Sequence, residues 1–163
     1  MGQLNGSEIL AKALKREGVE ELFFLMGGPM LTAEAATIQE GIRCIDVRHE
    51  QAAAFAADVY GRLTGKAGVC LGTLGPGATN LVTGVADANM DRAPCVCIIG
   101  QASTTRLHKE SHQNMDSIAM FKPISKWAHS IYDERNIPEV TRKAFKLAEA
   151  EKPEIGRASC RER

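Results

Sequence analysis

The fold is decided by residues 67–80, which read AGVCLGTLGPGATN. Residues 67–74 are a run of small and apolar side chains with the length and composition of a buried β-strand. The Gly75-Pro-Gly77 turn breaks this strand, and a helix is predicted from about residue 78 to residue 90. Such a turn exposes backbone amides at a helix N-terminus, which suits an anion or a flat ligand, although a purely structural tight turn has the same sequence.

Strands and helices alternate along the rest of the chain. Further strands are predicted at 21–26, 42–47, 94–99 and 124–131, and further helices at 32–40, 49–64 and 139–151. Another helix is predicted to begin at Asn5, which has capping-box spacing to Glu8, and to end at Gly18. Continuous apolar strands that alternate with helices indicate a mostly parallel sheet covered on both faces. We therefore predict one α/β domain with three layers, α/β/α.

Loops at one edge of this sheet are the places to search for chemistry. In parallel sheets, ligands bind beyond the carboxyl ends of the strands. That rule places residues 27–29, 48–50, 73–77 and 100–113 on the same edge. A dinucleotide fingerprint is disfavoured there, because Asn80 stands where its third glycine belongs.

Composition excludes several classes of function. Lys plus Arg and Asp plus Glu number 20 each, so the charge balance predicts neither nucleic acid nor an anionic membrane as a partner. The five cysteines lack metal-ligand spacing, which favours buried reduced thiols and no metal site. No signal peptide or membrane-spanning run is recognisable, so we expect a cytoplasmic protein.

Glu50 is the candidate catalytic residue. It follows a predicted strand and opens a helix, where a carboxylate interacts favourably with the helix dipole. The functional alternative is a buried carboxyl that holds and donates a proton. His49 is adjacent, but neighbours on a helix do not face each other, so we interpret it as structural.

Three longer motifs carry a resemblance to a known family. They are RHEQAAAFAAD at 48–58, TGKAGV at 64–69 and GPGATNLV at 75–82. With the run at 94–101, they stand in the order found in acetolactate synthase and its thiamine diphosphate-dependent relatives. The resemblance extends over residues 3–153, and it implies the pyrimidine-binding domain of such an enzyme.

The resemblance also implies roles for individual residues. Glu50 would hydrogen-bond a ring nitrogen of the cofactor's aminopyrimidine, which favours the imino tautomer that deprotonates the thiazolium carbon. The resulting ylid attacks a 2-keto acid such as pyruvate. The implied cofactor-binding residues are Gly28, Pro29, Glu50, Thr73, Pro76, Gly77, Asn80 and Gln113. Gln113 is flanked by His112 and Asn114, whereas the family often has Phe and Glu there.

Other expectations concern the parts of the enzyme beyond this domain. The family holds Mg²⁺ and the cofactor's diphosphate in a separate domain, whose motif we do not find in this chain. The resemblance leaves FAD undecided, and it implies a homodimer or homotetramer formed through the missing parts. We therefore expect the chain alone to be inactive. We also expect residues 1–153 to be a truncated domain and residues 154–163, EIGRASCRER, to be a tail foreign to it.

Two alternatives remain open. The chain could be a stand-alone subunit of a split 2-keto acid decarboxylase, paired with a separate diphosphate-binding chain. It could also be a noncatalytic module that has kept the fold, because fold alone does not determine function.

Overall fold

A computed structural model of the chain describes residues 4–106, 109–150 and 156–161. The helices are α1 Gly6–Arg16, α2 Leu31–Gln39, α3 Glu50–Thr64, α4 Pro76–Met90, α5 Ser117–Phe121 and α6 Ile137–Ala148. The strands are β1 Glu21–Phe24, β2 Arg43–Asp46, β3 Gly68–Gly72, β4 Cys95–Gln101, β5 Trp127–Ser130 and β6 Gly156–Arg161. Short 3₁₀ turns lie at Gly28–Met30, Thr104–Arg106, Lys122–Ile124 and Glu134–Asn136.

The strands form one sheet in the order β2-β1-β3-β4-β6-β5, and every pair is parallel. The predicted α/β class with a parallel central sheet is therefore confirmed. Because all strands run the same way, the loops that follow β1, β2, β3 and β4 open at one edge. These are the loops that the sequence analysis selected.

Two apolar clusters cover the two faces of the sheet. On one face α1 packs against α2 and α6, and their cluster includes Leu14, Leu71 and Ile98. On the other face α3 packs against α4, and their cluster includes Cys70 and Leu81. Neighbouring residues of β3 face opposite layers, as the two-residue period of a strand requires. Both layers of the predicted α/β/α arrangement are therefore present.

Local signals account for most element boundaries. The predicted capping box of α1 is formed, because the Asn5 side chain accepts from the Glu8 amide and the Glu8 carboxylate accepts from the Asn5 amide. Helix α4 begins at Pro76, two residues before its predicted start, because proline suits the first position of a helix. The short helix α5 was not predicted; the Asp116 side chain caps it by accepting from the Ala119 amide.

Strand β6 is a difference from the sequence interpretation. Residues 156–161 lie in the expected foreign tail, yet they form a parallel strand between β4 and β5. Strand pairing satisfies backbone amides and carbonyls, so it does not require a patterned side-chain sequence. That the tail is foreign to the domain stays a prediction, and residues 154, 155, 162 and 163 lie outside the described residues. Within the described ranges, no helix has the length and apolar character needed to cross a membrane.

Candidate active site

The loops after β1, β2 and β3 meet at the carboxyl edge of the sheet. They are brought together because β1 lies between β2 and β3. The contacts run from Gly27 to Thr73, from Thr73 to Gly77, and from Gly77 to Glu50. One continuous group of residues therefore comes from three separate loops.

Glu50 is the carboxyl at the centre of this group. It is the first residue of α3 and only 6% exposed. His49 precedes it as the helix N-cap, and its Nδ1 accepts from the Gln51 amide at 3.2 Å. The Nδ2 of Asn80, on α4, donates to Glu50 Oε2 at 2.8 Å. The carboxylate thus receives a side-chain hydrogen bond and lies at the positive end of a helix dipole, and both compensate for its burial.

Gly27 and Gly77 allow close packing around Thr73 beside this carboxyl, and we call this arrangement the glycine cradle. A Cβ added at Gly77 would lie 2.6 Å from Thr73 Cγ2 and 3.2 Å from Glu50 Oε1. A Cβ at Gly27 would lie 2.5 Å from Thr73 Cβ. Any side chain at either glycine would therefore displace Thr73 or crowd Glu50. The backbone of two loops approaches the carboxyl closely only because both residues are glycine.

The hydroxyl of Thr73 is an unsatisfied group in this cradle. Its Oγ1 is buried and has no hydrogen-bond partner among the described residues. A buried hydroxyl without a partner costs about 1–3 kcal/mol, so folded proteins rarely retain one without a reason. A ligand with a polar edge would satisfy it.

Gln113 reaches the site from the long loop after β4. Its backbone packs on Gly75, where an added Cβ would lie 2.7 Å from the Gln113 carbonyl oxygen. Gly75 itself has φ 58° and ψ −114°, a conformation that is strained for residues with a Cβ. Gln101, at the end of β4, anchors the same loop, because its Nε2 donates to the Met115 carbonyl at 3.0 Å.

The structure groups most of the predicted site residues. Gly77 lies against both Thr73 and Glu50, and Asn80 donates a hydrogen bond to Glu50. Gln113 packs on Gly75 of the same loop. The other three predicted residues are Gly28, Pro29 and Pro76, and Pro29 lies half-buried in the 3₁₀ turn Gly28–Met30. Gly28 is exposed, and a Cβ added there would meet no described atom within 4 Å. Pro76 is also exposed.

Two structural contributors lie in the loops selected from the sequence but were not among the predicted cofactor-binding residues. Gly27 packs on Thr73, and the Gly27-Gly28 pair was the signal that could have identified it. Gln101 holds the Gln113 loop, but a glutamine at a strand end gives no local signal of that role.

A second buried carboxyl, Glu34, lies behind the first site loop. It is on α2 and only 2% exposed, and neither oxygen has a hydrogen-bond partner of normal geometry in the described chain. Burial raises the pKa of Glu34 to about 7; the Gly27 amide lowers it partly, and the charge of Asp46 raises it further. Burial also raises the pKa of Cys44, with Glu34 as the second cause. Glu34 therefore exchanges its proton near neutral pH.

The group around Glu50 fits the aminopyrimidine ring of thiamine. The two glycines let Thr73 pack close to Glu50, and the unpartnered Thr73 hydroxyl offers a ring a polar contact. The hydrogen bond from Asn80 goes to Oε2 of Glu50, so Oε1 remains for a ring nitrogen. Across the described residues, no cluster of three or more His, Cys, Asp and Glu side chains could hold a metal ion.

Comparison with known proteins identifies the family of this domain. A model described as "Thiamine pyrophosphate enzyme, N-terminal TPP binding domain" matches residues 4–120. The chain belongs to the thiamine pyrophosphate enzyme family. Thiamine pyrophosphate is another name for thiamine diphosphate. The predicted cofactor is therefore the cofactor of this family.

Curated relatives of this thiamine pyrophosphate enzyme domain are acetolactate synthases. The chain is 45% identical over 150 residues to the probable acetolactate synthase large subunit of Methanococcus aeolicus, covering 92% of this chain and 25% of the relative. It is 42% identical over 149 residues to the chloroplastic acetolactate synthase 2 of Nicotiana tabacum, covering 91% and 22%. It is 41% identical over 145 residues to the acetolactate synthase of Bacillus subtilis, covering 89% and 25%. The chain spans about a quarter of the length of these relatives.

Proposed function

We propose that this chain is the pyrimidine-binding half of a thiamine diphosphate enzyme that acts on 2-keto acids by acetolactate synthase-like carboligation or decarboxylation. The observation that supports it most is the buried Glu50 carboxyl, with Oε2 bonded to Asn80 and Oε1 beside a glycine cradle. The names of the acetolactate synthase relatives support the substrate class.

Each residue of the group would have a defined task toward the aminopyrimidine. Glu50 would hold or donate a proton at a ring nitrogen. Thr73 would contact the ring through its hydroxyl, and Gly27 and Gly77 would hold Thr73 close to Glu50. Gln113 would border the side from which substrate arrives. When bound, the cofactor supplies a carbanion nucleophile and an electron sink for 2-keto acid chemistry.

The proposal includes a second half of the active site. A diphosphate-binding domain would supply the Mg²⁺ site, and a homodimer or homotetramer would bring the halves together. On this proposal the chain alone binds the pyrimidine weakly and does not turn over pyruvate. The use of FAD is left open.

The test is to rebuild a complete enzyme around the chain. Residues 4–150 would replace the matching segment of the Bacillus subtilis acetolactate synthase, and the chimera would be assayed with pyruvate, thiamine diphosphate and Mg²⁺. We expect acetolactate from the chimera and none from the chain alone. A folded chimera that binds neither thiamine nor pyruvate would favour the noncatalytic module instead, and activity of the chain alone would contradict the half-site.

A further inference from the structure

The hydrogen bond between Asn80 and Glu50 joins two helices at the candidate site. Asn80 lies in the second turn of α4, and Glu50 begins α3, so 30 residues separate the two partners. The Nδ2-to-Oε2 distance is 2.8 Å, and the pair is partly buried. A donor to a charged acceptor at this distance is among the stronger hydrogen bonds in proteins.

This bond makes the two oxygens of Glu50 unequal. A side-chain amide nitrogen can only donate, so Oε2 must act as an acceptor. When the carboxyl is protonated, its proton therefore belongs on Oε1. Oε1 is the oxygen that lies 3.2 Å from the Cβ position at Gly77, on the side of the glycine cradle.

We propose that Asn80 is a positioning residue, which orients Glu50 so that Oε1 meets the ring nitrogen of the pyrimidine. This inference rests on the proposed function and refines the expectation that Asn80 itself binds the cofactor. Asn80 acts on the cofactor through Glu50.

Close packing of the two helices supports this assignment. A Cβ added at Gly84 of α4 would lie 2.6 Å from Ala54 Cβ and 3.0 Å from the Phe55 amide nitrogen of α3. The helices therefore cannot slide past each other without a clash. This contact limits relative movement of the two helices, and the hydrogen bond then orients the Glu50 side chain.

A double-mutant cycle on thiamine binding to the full chain tests the coupling. The variants are Glu50→Ala, Asn80→Ala and the double variant, and Thr83→Ala, exposed on the same helix, is the control. We expect Asn80→Ala to weaken binding about tenfold when Glu50 is present and less than about twofold when it is absent. The control should match the wild-type chain.

The possible outcomes separate this inference from the proposed function. Equal losses from Asn80→Ala in both backgrounds would overturn the inference and make Asn80 a direct ligand, with the function intact. Unchanged binding in Glu50→Ala would instead overturn the proposed function.

A measurement without ligand tests the hydrogen bond itself. In nuclear magnetic resonance spectra, the Asn80 side-chain amide hydrogens should exchange with water about fivefold faster after Glu50→Ala. The exposed side-chain amide of Asn136 is the internal control. Unchanged exchange at Asn80 would overturn the inference even if thiamine binds too weakly for the cycle.

Discussion

Two buried glutamates of this domain have opposite surroundings. Glu50 is 6% exposed and Glu34 is 2% exposed, and both lie near the start of a helix. Glu50 accepts a hydrogen bond from the Asn80 side chain. Neither oxygen of Glu34 accepts one of normal geometry from a described residue, although the Gly27 amide partly stabilises its charge. Burial alone therefore does not mark a functional carboxyl. The side-chain hydrogen-bond partner of Glu50 and its place among the loops after β1, β2 and β3 distinguish it from Glu34.

Because their surroundings differ, we expect substitutions of the two glutamates to have different effects. Glu50 lies among the loops that would surround a ligand, so its replacement should affect chemistry. Glu34 lies behind the Gly27 loop, with Asp46 and Cys44 nearby, so its replacement should affect mainly stability.

The largest effect is expected from Glu50→Gln in the chimera described above. The substitution keeps the shape of the side chain and removes the carboxyl that holds a proton. Turnover of pyruvate should fall about 10²–10⁴-fold, the range for loss of a general acid or base. Glu139→Gln, at an exposed position in the first turn of α6, is the matched control and should keep full activity. Comparable turnover in both variants would remove Glu50 from the chemistry.

The second effect is a pH-dependent change in stability at Glu34. Its pKa is 4.5 in the unfolded chain and about 7 in the fold, so the folded chain binds this proton more tightly. The free energy of unfolding therefore falls as pH rises from about 4.5 to about 7 and stays low above that range. Glu34→Gln should remove this loss, so its advantage over the wild-type chain should grow by about 2 kcal/mol between pH 5 and pH 8.

Chemical denaturation at the two pH values measures this effect. Glu139→Gln again serves as the control, because its side chain is exposed. A stability difference between Glu34→Gln and wild type that does not vary with pH would show that Glu34 is ionised in the fold at pH 5.

The third effect concerns the close packing of Gly77 beside Glu50. Gly77→Ala would place a Cβ 2.6 Å from Thr73 Cγ2, and relieving that overlap should cost about 1–3 kcal/mol of stability and weaken thiamine binding. Gly6→Ala is the control, because its Cβ would meet its nearest neighbour at an ordinary 3.6 Å. Thermal unfolding and thiamine titration measure both quantities. Equal behaviour of the two variants would mean that the cradle tolerates a side chain.

The smallest effect is expected at the unpartnered hydroxyl of Thr73. Thr73→Val replaces a buried polar atom with a methyl group of similar size. The free chain should gain about 1 kcal/mol of stability while its affinity for thiamine falls. Calorimetry of the wild-type chain and of Thr73→Val, each with and without thiamine, measures both the stability and the affinity. A loss of stability in the free chain would indicate that the hydroxyl is already satisfied.

Much of the fold was predictable from local signals. Apolar runs marked the strands, and the Asn5 capping box and Gly18 marked the ends of the first helix, where Gly18 takes φ 80°. The position of β6 between β4 and β5 was not predictable, because strand order depends on tertiary packing. The long loop after β4 was predicted, and its anchoring by Gln101 was not.

The candidate site was predictable in its residues and less so in its contacts. The resemblance named Glu50 and Asn80, but their mutual hydrogen bond spans 30 residues and appears only in the fold. Glu34 lies within a predicted helix, and no local pattern shows that its carboxyl is buried without a side-chain partner. Whether a buried side chain finds a hydrogen-bond partner depends on neighbouring elements. The sequence alone does not show where those elements lie.

The central claim is that Glu50 meets a ring nitrogen of the pyrimidine. The direct measurement is the nitrogen-15 resonance of that ring nitrogen in labelled thiamine, bound to the wild-type chain and to Glu50→Gln. We predict an upfield shift on binding to the wild-type chain, as protonation or a strong hydrogen bond at this nitrogen produces, and its loss in the variant. The same shift in both proteins, or none at saturation of the wild-type chain, would contradict the claim.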